Sequence, residues 1–333
     1  MIVLLNDYLN LDNQKFSNLI YYNLADESGI MIESCEIESH ILSRLSRRVL
    51  RLENLKYYRW CIDCLRESHD SHYCNIIYRA LIEIGVPSEN ILFLVAVDDT
   101  KENFQGKVIF CHSWHAKWYH HYVQQLTTTE MNKIFVCLMR RPNNPRKFLA
   151  QEILSRDWDN KNYTLSLGTD SKYDFSLFVD SLTTVEKVHN ITPMLKTLIN
   201  VIAETSSDQD IHNDNSFLTE KTFKCFSIGQ IPIWFGHPGL HRTAKSLGYD
   251  IFEDIIDHEK ISNQKDWHSK SKVLCDQLDK FMKMDSLQLT NFHQQIAERL
   301  HKNQTLTKFY CESNKNNLEI KIKRWHDLGK LIL

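Results

Sequence analysis

The sequence predicts an α/β protein, and three observations support this prediction. Short apolar runs that are typical of buried strands alternate with longer segments that have the apolar spacing of amphipathic helices. Polar residues directly follow several of these strand-like runs, as they do where the strands of an open α/β sheet end at a ligand crevice. The chain has 333 residues, which is enough for two domains with separate cores.

Composition excludes several classes of protein. Hydrophobic residues make up 42% of the chain and charged residues 25%, as in ordinary globular proteins. The net charge of −2 argues against a protein that coats nucleic acid or membrane by bulk charge. Nine cysteines without the spacing of a disulfide framework indicate reduced thiols. The N-terminus lacks the basic region of a signal peptide, and no apolar run is long enough for a transmembrane segment. We therefore expect a cytoplasmic protein.

The chain begins with a predicted strand, Met1–Leu5, that ends at Asn6 and Asp7. Asp7 is either a cap of the following loop or a site residue. Glu36–Arg59 has the apolar spacing of a helix, with arginines interleaved at Arg44, Arg47, Arg48 and Arg51 and aromatic residues following at Tyr57, Tyr58 and Trp60. The default interpretation is a solvated basic face. The alternative is a surface that holds an anionic or stacked acceptor.

Two further features of this half raise the question of metal binding. Cys61 and Cys64 form a C-x-x-C, but the histidines and the cysteine downstream do not form a regular second pair. We interpret them as thiols on a helix, with a zinc site as the alternative. After a helix at Tyr78–Ile84, the predicted strand Ile91–Val97 ends at Asp98 and Asp99, and the letters Asp-x-Asp occur at Asp157–Asp159 in a loop-like context. We regard both acidic motifs as weak metal signals.

The richest polar cluster of the N-terminal half follows a predicted strand at Val108–Cys111. Four histidines and three aromatic residues occur within residues 112–121. A histidine at a strand end suits a general base that deprotonates an acceptor hydroxyl, and the rings suit carbohydrate stacking. Aromatic clusters also occur in cores, which is the alternative. The candidate catalytic residues are His112 and His115, followed by Asp7.

A polar stretch at Gln124–Asn132 predicts a domain boundary, with one domain at 1–128 and a second at 129–333. The second domain opens with a predicted strand, Lys133–Met139. A basic loop then precedes a helix, with candidate anion ligands at Arg140, Arg141 and Arg146. Further predicted strands are Tyr163–Leu167, Leu198–Ala203, Ile231–Phe235 and Asp250–Phe252, and predicted C-terminal helices are Lys270–Glu298 and Leu318–Leu331.

The segment Phe217–Gly236 organises this second domain. Thr219 is a good helix N-cap, and Gly229 suits the left-handed conformation that ends a helix. Lys221 and Lys224 come early in this helix, where the helix dipole disfavours cations. Free N–H groups and ammonium groups at one helix start form a phosphate site. The alternative is a solvated helix end with two ordinary lysines.

The motif in this segment resembles the donor-binding motif of the alpha-1,3-fucosyltransferase family and of related viral and bacterial glycosyltransferases. The shared pattern is a Glu-Thr pair, a loop, T-E-K at a helix start, an Ile-Pro-Ile strand and a glycine. The chain supplies these elements in order as Glu204-Thr205, Thr219-Glu220-Lys221, Ile231-Pro232-Ile233 and Gly236. The resemblance covers about Lys133 to Phe252.

The resemblance implies the GT-B arrangement: two Rossmann-like domains that face each other across a cleft, with a C-terminal helix crossing back to the first. It implies donor-binding roles for Arg140, Arg141, Arg146, Glu204, Thr219, Glu220, Lys221 and Gly236. The reaction would be metal-independent transfer of a hexosyl, fucosyl or pentosyl group from a nucleoside-diphosphate sugar to a hydroxyl, with no cofactor and with a glycan as the acceptor. The alternatives are transfer to a hydroxymethylated base in viral DNA and a non-catalytic nucleotide-sugar-binding protein.

Overall fold

A computed structural model describes residues 3–4, 19–23, 59–64, 71–83, 85–96, 104, 106–126, 132–139, 143–167, 191–204 and 217–330. The protein is a mixed α/β fold with parallel sheets, as predicted. The chain divides into two compact units, one formed by Met1–Trp114 with Glu312–Leu333 and the other by His115–Cys311. This division differs from the predicted boundary at 128. Residues after Trp114 belong to the second unit because Ala116 and Tyr122 lie in its hydrophobic core.

The first unit contains a parallel sheet with the strand order β1-β2-β3-β4-β5. Its strands are β1 (Val3–Leu4), β2 (Leu19–Asn23), β3 (Arg59–Cys64), β4 (Ile91–Val95) and β5 (Lys107–Phe110). Helix α1 (Ser71–Glu83) lies between β3 and β4 in the sequence and shares their core. The order follows the sequence without the reversal that marks the ligand crevice of a doubly wound sheet.

Strand β3 corrects the interpretation of the C-x-x-C motif. Cys61 and Cys64 lie on this strand and are buried, so they are not thiols on a helix. β3 pairs with β2 on one side and β4 on the other. Its residues, Arg59–Cys64, do not alternate regularly between apolar and polar, so periodicity does not identify them as a strand. Trp60 is buried on the same strand, so it adds no aromatic surface beside the arginines. The arginine-bearing segment before Arg59 lies outside the described residues.

The second unit contains a parallel sheet with the order β7-β6-β8-β9. Its strands are β6 (Lys133–Met139), β7 (Tyr163–Leu167), β8 (Thr197–Ala203) and β9 (Ile231–Phe235). β6, β7 and β9 have the predicted bounds, and β8 begins one residue earlier. Strand order reverses at β6, because the chain places β7 on one side of this strand and β8 on the other. All residues of β8 and β9 are buried.

Helices of the second unit pack on this sheet and form its two main cores. They are α2 (Tyr119–Val123), α3 (Asn144–Ser155), α4 (Glu220–Ser227), α5 (Leu240–Ser246), α6 (His258–Ser262) and α7 (Trp267–Met282). Gly229 ends α4 with a φ of 73°, as predicted, and Gly248 follows α5 with a φ of 89°.

The segment after Gly248 is not the predicted strand Asp250–Phe252. Phe252 has a φ of 58°, which is outside the extended region that a strand needs. The Asp250 carboxylate accepts a hydrogen bond from the Phe252 N–H at 2.9 Å, and Arg299 binds the same carboxylate while lying over the Phe252 ring. These local side-chain bonds replace the ladder that a strand would form.

The last helix, α8 (Ser286–Lys330), has 45 residues. The predicted helix Lys270–Glu298 is divided between α7 and α8, and the predicted helix Leu318–Leu331 belongs to α8 as far as Lys330. The part from Glu312 onward groups with the first unit. There Asn314 donates a hydrogen bond to the Ser113 carbonyl, and Arg59 donates one to the carbonyl of Trp325. No helix in the described ranges combines the length and the apolarity that crossing a membrane requires.

Candidate functional site

The candidate site lies where strand order reverses in the sheet of the second unit. In open parallel sheets, ligands bind beyond the carboxyl ends of strands at such a switch point. Glu204 directly follows β8 at this position and is only 4% exposed. Its backbone N–H donates to the Phe235 carbonyl at 3.0 Å, which extends the pairing of β8 with β9. The carboxylate is therefore held rigidly at the edge of the sheet.

Helix α4 begins beside this carboxylate. Thr219 is the N-cap, and its hydroxyl oxygen accepts a hydrogen bond from the Lys221 N–H at 3.2 Å. The same hydroxyl donates to Glu204 Oε1 at 2.7 Å. Thr219 thus ties the helix start to the end of β8, which confirms its predicted N-cap role.

The Lys221 ammonium connects the two acidic side chains of the site. It lies 3.0 Å from Glu204 Oε2 and 3.5 Å from Glu220 Oε1. Burial would lower the pKa of Lys221, but Glu204 and Glu220 outweigh burial and Arg146, so its pKa is raised. Lys221 is therefore a permanent cation. Its side chain is 26% exposed and that of Glu220 is 25% exposed, so both reach solvent at the site.

Glu220 is a permanent anion. Burial would raise the pKa of its carboxyl group, but the positive charges of Lys221, His115 and Lys224 lower it to about 2. An ionised carboxylate accepts hydrogen bonds and donates none. Glu220 is consequently suited to bind hydroxyl groups of a ligand.

Arg146 contributes to the site from the protein interior. The residue lies in the first turn of α3, where the Asn143 side chain accepts a hydrogen bond from its N–H. Its guanidinium donates to the carbonyl of Ala203, the last residue of β8, at 2.8 Å. The side chain is 1% exposed, so it supports the end of β8 and adds positive charge from below.

Gly236 is required by close packing against Glu204. A Cβ atom at this position would lie 3.0 Å from Glu204 Cβ and 2.9 Å from a methyl group of Leu240. These distances are shorter than ordinary van der Waals contact, so a larger residue would displace the site carboxylate. The predicted donor residues Arg146, Glu204, Thr219, Glu220, Lys221 and Gly236 therefore come together at one edge of the sheet.

Two further residues belong to this cluster: Tyr122, which the sequence did not indicate, and Lys224, which was predicted at the start of the helix. Lys224 does not lie at the helix start but in the last turn of α4, where it is buried. Its ammonium lies 5.7 Å from the centroid of the Tyr122 ring, and burial lowers its pKa to about 8 although Glu220 opposes this. Lys224 follows Glu220 by four residues, a spacing that places both side chains on one helix face. From this four-residue spacing, the place of Lys224 beside Glu220 could have been predicted.

The two candidate histidines lie in different units. His115 belongs to the second unit, is 6% exposed and packs edge-to-face against Phe217 with ring centroids 5.5 Å apart. When it is protonated, its ring lowers the pKa of Glu220. His112 belongs to the first unit, where its Nδ1 lies 2.9 Å from the Ala96 carbonyl and its ring stacks on Phe110.

Several predicted site residues lie outside the described residues, namely Asp7, Asp98, Asp99, Arg140 and Arg141. The Asp-x-Asp letters at Asp157–Asp159 have a structural role, because Asp159 caps the turn Asn160–Asn162 by accepting from the Lys161 N–H at 2.9 Å. Within the described part of the chain, no group of three or more His, Cys, Asp or Glu side chains is arranged to hold a metal ion.

No protein-family model matches this chain, and no curated protein or solved structure matches it. The motif and the geometry of the cluster around Glu204 are therefore the features that indicate a function.

Proposed function

We propose that the protein is a glycosyltransferase of the GT-B arrangement that binds a nucleoside-diphosphate sugar at the carboxyl edge of the β7-β6-β8-β9 sheet. The observation that carries the proposal is the convergence of six predicted donor residues around Glu204, at the carboxyl ends of the strands. These residues come from α3, from the end of β8, from the start of α4 and from the turn after β9. Along the chain, the motif residues follow the same order as in glycosyltransferases of the fucosyltransferase type.

The charges of the cluster suit an anionic ligand. Arg146, Lys221 and Lys224 are opposed by the carboxylates of Glu204 and Glu220, which leaves one positive charge in excess. Lys221 is the cation that reaches solvent. Its three ammonium hydrogens face Glu204, Thr219 and Glu220, and the Glu220 contact is the longest of these. A diphosphate oxygen would replace the Glu220 contact, and Glu220 would then accept hydrogen bonds from sugar hydroxyls.

The chemical step would depend on this placement of charge. As the glycosidic bond to the diphosphate breaks, negative charge develops on the leaving oxygen. Fixed positive groups at that position lower the energy of the transition state. Lys221 and the N–H groups at the start of α4 would stabilise that charge directly, and buried Arg146 would do so from beneath. Side chains supply the positive charge, so we propose that no metal ion is required. The acceptor would be a hydroxyl of a glycan.

A thermal-shift screen tests the proposal. We expect one of GDP-, UDP- or ADP-sugars to raise the melting temperature, since a ligand that binds only the native state stabilises it. CMP-sugars, which carry a single phosphate, serve as the control. Transfer of the labelled sugar to a glycan acceptor should then persist in EDTA.

Each other outcome of this screen has a defined meaning. Binding of a donor without transfer to glycans or to hydroxymethylated DNA would indicate a nucleotide-sugar-binding protein. Turnover that EDTA abolishes and Mn²⁺ restores would contradict the metal-independent mechanism. No shift with any nucleoside-diphosphate sugar would overturn the proposed function.

A further inference from the structure

Lys270 is a lysine whose side chain is buried without a carboxylate partner. It lies in α7 and is 1% exposed. Its ammonium donates a hydrogen bond to the Gly236 carbonyl at 2.9 Å and lies 4.9 Å from the centroid of the Trp267 ring. Among the residues that the structure describes, no carboxylate forms an ion pair with it. The nearby Asp266 carboxylate is bound by the backbone and the hydroxyl of Ser269.

A charge buried in this way opposes folding. Moving an ammonium out of water costs several kcal/mol in a protein interior, and a carbonyl with an aromatic ring offsets only part of that cost. Burial accordingly lowers the pKa of Lys270 to about 8. A neutral donor such as glutamine would satisfy the Gly236 carbonyl with a smaller cost of burial. The hydrogen bond alone therefore does not explain why the position carries a charge.

The position of Lys270 indicates what the charge is for. Gly236 directly follows β9 and packs against Glu204, so the ammonium lies at the sheet edge that holds Lys221 and Arg146. An anion bound at this edge would lie within the field of the ammonium. Charges in a protein interior are screened less by water than charges at its surface, so this field extends towards such an anion.

We propose that Lys270 is a further positioning residue of the donor site. Its ammonium fixes the turn at Gly236, and its charge attracts the diphosphate from the protein interior. This inference rests on the proposed function. Lys270 does not touch the ligand, since its side chain is enclosed. It acts through the Gly236 carbonyl and through its charge.

Two substitutions separate the charge from the hydrogen bond. Lys270→Gln keeps a donor for the Gly236 carbonyl but removes the charge, and Lys270→Met removes both. Lys272→Met is the matched control, because Lys272 lies two residues away on the same helix and is exposed. Affinities for GDP, UDP and ADP, and for guanosine, uridine and adenosine, are measured by calorimetry. Melting temperatures are measured without ligand.

We expect both Lys270 variants to bind the preferred nucleoside diphosphate about tenfold more weakly or worse, which is the scale of one lost charge at short range. Nucleoside affinity should change less than twofold, and the Lys272 variant should resemble the wild type. Without ligand, Lys270→Met should melt no lower than the wild type, since replacing a buried charge by an apolar side chain is often neutral or stabilising.

Three results would overturn the inference. The first is wild-type affinity of Lys270→Gln for the nucleoside diphosphate, while the wild type itself binds. The second is an equal loss of nucleoside and nucleoside-diphosphate affinity together with a lower melting temperature, which would show a purely structural role. The third is a wild-type protein that binds none of GDP, UDP and ADP, which would overturn the proposed function and this inference with it.

Discussion

The Glu204 carboxylate determines how the charged side chains of the candidate site are arranged. It is almost fully buried, yet it holds the Lys221 ammonium and the Thr219 hydroxyl at hydrogen-bonding distance. Because the carboxylate is fixed at the end of β8, the ammonium is fixed too. A cation that is oriented before a ligand arrives loses less conformational freedom when it binds a phosphate. Glu204 therefore prepares Lys221 for an anion.

Lys221→Ala tests this role of the ammonium. We expect nucleoside-diphosphate binding to weaken by about 1.5–3 kcal/mol, the scale of a hydrogen bond to a charged group. Calorimetry with the preferred nucleotide measures the change. Lys245→Ala is the matched control, since Lys245 is 59% exposed and pairs with Glu253 at the surface. Unchanged affinity in the Lys221 variant would show that the diphosphate does not bind at this helix start.

The two candidate histidines should respond differently to substitution. Because a carbonyl oxygen can only accept, the contact with Ala96 places the proton of His112 on Nδ1 and leaves the lone pair of the neutral ring on Nε2. That is the form of a general base. His115 is buried beside the charge of Glu220, and it is the histidine associated with the donor residues.

We therefore expect His112→Ala to lower turnover by roughly 10²–10⁴ and to leave donor binding intact. His115→Ala should weaken donor binding as well. Separate measurements of the donor dissociation constant and of the single-turnover rate distinguish these effects. Normal turnover of both variants would exclude the histidines as bases and would make Asp7, Asp98 and Asp99 the next candidates.

Among the secondary-structure elements, α4 connects local stability with the site most directly. Its N-cap residue bonds both the first helical turn and the end of β8. Thr219→Ala should lower the free energy of unfolding by about 1–2 kcal/mol through the lost cap. It should also weaken nucleotide binding, because α4 would no longer be tied to Glu204.

Thr219→Ser is the control for this prediction, since serine keeps the hydroxyl that caps the helix. Urea denaturation measures stability, and calorimetry measures affinity. Loss of stability with unchanged affinity would show that the cap matters for folding only.

The elements that sequence reasoning predicted best have strong local signals. The strands β6 and β9 are apolar runs bounded by polar residues or by glycine, and α4 has both a threonine N-cap and a glycine terminator. β3 was misassigned because its residues, Arg59–Cys64, do not alternate regularly between apolar and polar, so the period of a strand cannot be recognised in them. The predicted strand Asp250–Phe252 does not form because Asp250 and Arg299 make side-chain bonds there. Strand propensity takes no account of such bonds.

The residues of the candidate site divide in the same way, into those with a local signal in the sequence and those without one. Thr219, Glu220 and Lys221 were predicted because they are consecutive in one motif. The ion pair of Lys221 with Glu204 joins residues 17 positions apart, and its geometry depends on where β8 ends. Lys270 lies 34 positions from Gly236, and no pattern in the sequence relates these two residues. Contacts that depend on the tertiary structure could not be predicted from the sequence.

At the level of the complete chain, the two compact units are not two consecutive segments. The first unit takes its last residues from the C-terminal part of α8, beginning at Glu312. Leu318, Ile322 and Trp325 are buried there. Asn314 also donates to the Ser113 carbonyl at 2.6 Å and accepts from the Ser113 hydroxyl at 3.0 Å. The donor cluster, in contrast, is built from residues between His115 and Cys311.

A chain that ends after Cys311 should therefore lose the first unit and keep nucleotide binding. Burial of each large apolar side chain contributes about 1.5–3 kcal/mol, so the loss of three is comparable to the entire stability of a domain, about 5–15 kcal/mol. Calorimetric melting should show one transition fewer than in the full chain, with nucleoside-diphosphate affinity within about twofold of the wild type. A chain that ends at Lys330 is the control, because it retains Asn314 and Trp325. An unchanged melting profile would show that the first unit folds without the C-terminal part of α8. Loss of nucleotide binding in the shorter chain would show that the donor site requires residues outside His115–Cys311.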